Sequence, residues 1–241
     1  MEPLRAWMFL MIVWAVIIFP ALSVAAEPLV LATRDHVITN RLAESVLLEA
    51  YDRAGIDMKF VPYPGARSVI EADAGRADGE VARLAFVLKE YKNLIMVPVP
   101  IFHSELAAFV HSKYPTQIEN WEALRGFSLT AVKGFKLVEA KLSGHPLKLV
   151  KSSEDAVELV ENDRVEVAVL NSIAAEIAIG RKNAGHIMKL EPPLERLPVY
   201  HLLNKKHAAL VPKLTAALKA MKKEGILALK QKQFVVQAIE N

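Results

Sequence analysis

The 241-residue chain contains no cysteine. That excludes a disulfide framework, a thiol nucleophile, a thiolate metal site and a lipid anchor on an N-terminal cysteine. Catalytic signatures are missing as well. The chain carries neither G-x-S-x-G nor H-E-x-x-H, and neither of the glycine-rich phosphate loops. Its histidines, at positions 36, 103, 111, 145, 186, 201 and 207, show no metal-ligand spacing, so neither a metal nor a cofactor is expected. A charge excess of one sign is lacking too. Thirty Lys and Arg face 27 Asp and Glu, a net +3, and nucleic acid is not an expected partner. The one basic cluster (Lys219, Lys222, Lys223, Lys230 and Lys232) reads as a solvated helix face. There is no low-complexity segment and no Pro/Gly/Ser-rich linker. With no catalytic motif, binding is the better expectation than catalysis.

One long apolar run is present, at the N-terminus. Arg5 and the α-amine precede 17 uncharged residues, 6 to 22, interrupted by Pro20. Ser23-Val24-Ala25-Ala26 then supplies the small residues that a signal peptidase requires. Residues 1–26 therefore read as a cleavable secretory leader, and the working protein as 27–241. The alternative is a retained segment that tethers the same protein to the membrane. The remaining 241 − 26 = 215 residues suffice for one large domain or two small ones.

From residue 29 onward, short apolar runs alternate with amphipathic helical patterns. Strands are expected at 29–33, 57–61, 79–86, 94–97 and 105–111, then at 127–132, 146–150, 165–170 and 198–203. Asn40 is expected to cap a helix over 41–54 that Gly55 stops, and a shorter helix is expected at 67–74. Two capping boxes, Thr116-x-x-Glu119 and Ser152-x-x-Asp155, predict helix starts. Further helices are expected near Gly134, at 172–179, and from Pro212 to the C-terminus. Strands separated by helices argue for an α/β fold with two mostly parallel sheets. The helix–Gly75-Arg76-Ala77-Asp78–strand passage is echoed by helix–Asp163-Arg164-Val165-Glu166–strand. This implies two lobes of similar architecture. The last helices have no sheet of their own and are expected to return to the first lobe. The expected organisation is 27–110 with 204–241 as one lobe, 111–203 as the other, and chain crossings near His111 and Tyr200.

In open α/β sheets ligands bind beyond the carboxyl ends of strands. The candidates on that rule are Asp35 with His36, then Tyr63 and Arg67, then Glu80 and Arg83, Lys133-Gly134-Phe135, and Asn171. Arginine suits carboxylates because its planar fork bonds both oxygens. Free amides around Gly134, at a helix start, can hold an anion. Strand alternation puts Val81 and Arg83 on one face and Glu80 and Ala82 on the other. The structural alternatives are a surface role for Arg67 and an ion pair of Arg83 with Glu80 or Glu90.

Tyr63-Pro64-x-x-Arg67-Ser68, Gly75-Arg76-x-Asp78-Gly79, Arg83, Tyr91-x-Asn93-Leu94-Ile95 and Val132-x-Gly134 follow one another in a telling order. In these the chain resembles the bacterial extracellular solute-binding proteins of family 3, in a divergent form. The resemblance covers nearly all of 27–241. It implies a two-lobed periplasmic-binding-protein fold of type II, and a monomer that closes on a small polar ligand in the periplasm. It also implies a partner in the inner membrane, the permease of an ABC-type importer or a receptor. Family members commonly hold an amino acid by an arginine and by a second-lobe acid. Here the first position falls near Glu90 and the second at Asn171, so an acidic or neutral polar metabolite is an alternative ligand. Two other readings stay open. One is a dehydratase-like enzyme using Glu80, and the other an accessory sensing protein for a membrane receptor.

Overall fold

The computed structural model describes residues 27–114 and 116–241. The leader reading of 1–26 lies outside the described residues. Among those, no helix is long and apolar enough to cross a membrane.

The elements in chain order begin with β1 (Leu29–Arg34), α1 (Ile38–Ala54), β2 (Met58–Tyr63), α2 (Arg67–Asp73) and β3 (Gly79–Leu84). Next come β4 (Leu94–Met96), β5 (Phe102–His111), β6 (Leu129–Val132), α3 (Lys136–Lys141) and β7 (Leu147–Val150). They are followed by α4 (Ser153–Glu161), β8 (Val167–Asn171), α5 (Ser172–Lys182) and β9 (Ile187–Lys189). The chain closes with β10 (Glu195–Asn204), α6 (Val211–Lys223) and α7 (Ile226–Glu240). The α/β class expected from the alternation is the one observed.

The strands run β2-β1-β3-β10-β5-β8-β6-β7, with β4 added on β10 and β9 on β5. Both ends are parallel, as expected: β1 with β2 and β3, and β6 with β7 and β8. The two sheets are not separate, however. The two longest strands, β5 and β10, pair antiparallel from Phe102–Val199 to Leu106–Glu195 and make one hydrogen-bonded path. Beyond Leu106, β5 turns to β8, and beyond Val199, β10 turns to β3. These handovers lie a few residues from the crossings expected at His111 and Tyr200. The expected strands at 105–111 and 198–203 start too late to show the joining ladder.

Each half of the sheet is covered on both faces, and period-two alternation distributes the core. Leu31 of β1 faces α1, with Leu42, Val46 and Leu47, while Ala32 faces α2, with Val69 and Ala72. On β5, Leu106, Ala108 and Val110 enter one cluster and Ala107 and Phe109 the opposite one. The terminal helices do pack back, through Leu214, Leu218 and Met221, into the cluster of Leu31 and Leu42. In addition α7 reaches α5 of the other half. A Cβ on Gly180 would lie 2.6 Å from Ile239 Cδ1, so glycine there admits α7 to close contact. Arg181 Nε donates to Ala238 O at 2.8 Å beside it.

Two expected caps differ. Asn40 lies inside the first turn of α1, behind Val37, with its side chain turned into the core. No α-helix follows Thr116. The segment has only a 3-10 turn at Glu122–Leu124, where Asn120 Oδ1 accepts from Ala123 N at 2.9 Å. Ile118 is buried from the loop and Leu124 from the 3-10 turn, so burial was reached without an α-helix. At Ser152 the box is complete: Ser152 Oγ accepts from Asp155 N and Asp155 Oδ2 from Ser152 N.

Candidate functional site

A cleft of about 840 Å3 opens where the two halves meet, a volume suited to a small ligand. One wall comes from the ends of β1 and β3 and the start of α1. The other comes from the segments after β6 and β7, with β8 and α5 between them.

The first wall is built around two guanidinium groups. Arg34, the last residue of β1, donates from Nη2 to Asn40 Oδ1 at 2.9 Å. Asn40 Nδ2 donates to Thr33 Oγ1, which donates to Glu44 Oε1 at 2.6 Å. This chain explains why Asn40 turns inward instead of capping. Arg34 Nε is buried without a hydrogen-bond partner. Burial, and then the positive charge of Arg83, bring the Arg34 pKa down to about 10, with Glu80 opposing. It therefore remains a cation at neutral pH. Arg83 donates from Nη2 to Ser68 Oγ at 2.6 Å, and its Nε lies 2.9 Å from Glu80 Oε1. That approach makes an ion pair but is not aligned as a hydrogen bond, and both Glu80 oxygens lack aligned donors. Burial pushes the Glu80 carboxyl up, against the pull of Arg83, Ser68 and Arg34. Behind the wall, His201 Nδ1 meets Glu80 O at 2.9 Å and its Nε2 meets the Tyr51 hydroxyl at 2.8 Å.

The second wall differs from expectation. Lys133, Gly134 and Phe135 all line the cleft. The amides around Gly134 are nevertheless not free for an anion. Gly134 N donates to Glu139 Oε1 at 2.6 Å, Lys133 N to Val150 O and Lys136 N to Gly134 O. The carboxylate of Glu139 thus occupies the cradle, and the Gly134 amide, first among its donors, holds its pKa down. Asn171 also lines the cleft with both ends of its amide engaged. Its Oδ1 accepts from Ala174 N, capping α5, and its Nδ2 donates to Ser104 Oγ at 2.9 Å.

Of the expected residues the cleft brings together Arg83, Lys133, Gly134, Phe135 and Asn171. Asp35 does not line it; its carboxylate pairs with the exposed His36 ring, which does. Tyr63 ends β2 and packs beside the α2 cluster. Arg67 is 61% exposed and pairs with Glu71 one helical turn on, away from the cleft. Glu80 has no exposed side-chain surface and sits behind Arg83. Lining residues not expected include Arg34, Arg41, Phe86, Ser104, Lys151 and Arg181. The strand-end rule that proposed Asp35 also points to Arg34 and Lys151, since each directly adjoins an expected strand. Phe86, the last residue of the expected 79–86 strand, fits the same rule, whereas Ser104 precedes its expected strand and carried no such signal.

No family model matches the chain. An uncharacterized protein of Shewanella oneidensis is 25% identical over 198 residues, covering 79% of this chain and 75% of that protein. The GluR0 ligand-binding core in complex with L-glutamate superposes with a TM-score of 0.71 at 10% identity, over 88% of this chain and 99% of that one. A histidine kinase sensor domain with similarity to periplasmic binding proteins gives 0.65 at 14% identity, over 86% and 96%. At these identities the likeness concerns the fold. The chain has the two-lobed fold of periplasmic binding proteins.

Proposed function

We propose that this protein is an exported solute-binding protein that captures a small carboxylate-bearing ligand in the cleft. Residues 27–110 with 204–241 form one lobe in this reading and 111–203 the other. The handovers at Leu106 and Val199 support that division. The observation that carries the reading is the pair Arg34 and Arg83, fixed by buried partners at the cleft wall, with Arg34 Nε left unpaired. Held forks of this kind suit a carboxylate and cost little ordering on binding. The polar residues nominated as ligand-contacting are Arg34, Arg83, Lys133 and Asn171, with Phe135 as the apolar contact. Closure of the lobes would bury the ligand and present the closed surface to a membrane permease or receptor. The reading of 1–26 as a secretory leader supports a periplasmic location. The position of Glu80, behind Arg83 and out of the cleft, counts against the enzymatic alternative.

A calorimetric screen over organic acids, amino acids and polyamines tests this reading. One organic acid is expected to saturate the protein, and Arg34→Ala and Arg83→Ala each to weaken that binding about a hundredfold while far-ultraviolet circular dichroism stays unchanged. Affinity unchanged in both variants would dismiss the cleft.

A further inference from the structure

The charge of the cleft narrows the ligand class further than one carboxylate. Arg34, Arg41 and Arg83 stand on the first wall and Lys133, Lys136 and Lys151 on the second. Arg181 makes the lining cations seven, against one lining carboxylate, Glu154. That carboxylate is already paired, at 3.6 Å from Arg181 Nη1. Lys136 is paired with Glu139, and Arg83 with Glu80. Arg34, Arg41, Lys133 and Lys151 have no ion-pair partner among the described residues, and they are divided two to a wall.

Two physical consequences follow. An ammonium group entering this cleft meets no free carboxylate, because Glu80 is inaccessible and Glu154 is engaged. It meets like charge on both sides, which is unfavourable wherever water is displaced. Conversely, a ligand with one anionic group neutralises one wall and leaves the other facing it. Walls carrying the same sign repel as they approach, and only an anion at each end removes that repulsion from both.

Taking the cleft as the ligand site, as proposed above, the geometry points to a small dianion without an ammonium group as the ligand. One acidic group lies at Arg34 and Arg83, and the second lies across the cleft at Lys133 and Lys151. Two carboxylates, or a carboxylate and a phosphate, share this chemistry.

The test uses protein purified from cells expressing the full chain. Calorimetry compares linear dicarboxylates from malonate to adipate with the monocarboxylates of equal length, and phosphoglycolate with glycolate. Glutamate is compared with glutarate, and aspartate with succinate. The expected result is that at least one dianion binds about tenfold or more tightly than its matched monoanion, and more tightly than its amino counterpart. Which series responds separates the two sources of the second acidic group. In the double variant Lys133→Gln/Lys151→Gln the ratio of dianion to monoanion affinity should fall to near one. A monoanion that binds as tightly as its dianion overturns the inference and leaves a carboxylate-binding cleft standing. An amino acid preferred over its deaminated analogue does the same. If every acid and amino acid fails to bind, both this inference and the reading beneath it fall.

Discussion

On the β1–β3 wall Arg34 and Arg83 each lean on a buried group, whereas on the β6–β7 wall Lys133 and Lys151 stand exposed. Arg34 rests on Asn40, Asn40 on Thr33 and Thr33 on Glu44, while Arg83 rests on Ser68 and Glu80. The lysines opposite have no such support. A guanidinium held in place loses little freedom on binding, and a solvated ammonium on a long stem gains little from one contact. The contrast assigns affinity to the first wall and adjustment to the second.

The sharpest way to break that contrast is to disturb the packing beneath the first wall. A Cβ at Gly79 would lie 2.6 Å from Leu202 O, a backbone atom of β10 that cannot step aside. Gly79→Val is expected to lower stability by about 3 kcal/mol or more, read as a lower urea midpoint at unchanged slope. His201, buried behind Glu80, is the next lever. Burial brings its pKa down to about 4 from an ordinary 6.5, so the unfolded chain takes up the proton first as pH falls. Its contribution is complete above pH 6.5 and drains away toward pH 4, about 3 kcal/mol in all. Urea titrations across that interval should show the loss, and His201→Gln should flatten it.

Arg83→Ala comes next, with an expected loss of ligand affinity of about a hundredfold in calorimetry. Arg34→Ala should weaken binding similarly. It should also cost about 1 to 2 kcal/mol of stability, because Asn40 Oδ1 is left buried without its donor. Lys133→Gln marks the small end of the scale. About a threefold loss is expected, shrinking as salt is added. A lysine effect as large as the Arg83 effect would erase the distinction between the walls.

Much of the fold was legible because its signals are local. Ser152 and Asp155 lie three residues apart and need only each other, so that cap formed as read. Pro212 fitted the first turn of α6 and Gly55 ended α1 in the left-handed region, each for reasons held within one turn of chain. Asn40 and Thr116 failed as caps because distant groups won. Asn40 was drawn inward by Thr33 and Arg34, and the segment after Thr116 buried Ile118 and Leu124 without an α-helix. The candidate site was half legible. Strand ends proposed Arg83, Lys133 and Asn171, and the cleft gathers them. The same rule offered Arg67, whose charge is taken by Glu71, and Glu80, whose carboxylate is buried behind Arg83.

The sequence by itself determined that strands and helices alternate, which faces of them are apolar, and that no thiol chemistry takes place here. Those properties depend on residue type and short-range spacing. The tertiary structure decided that β5 and β10 join the two parallel ends, since strand pairing across nearly a hundred residues leaves no local mark. It also decided which charges stay free. Glu139 is as acidic in the sequence as any other glutamate, yet folding spends it on the Gly134 amide and leaves the cleft beside it cationic. The sign of a binding site is set by which charges folding pairs away, and those pairings exist only once the chain has folded.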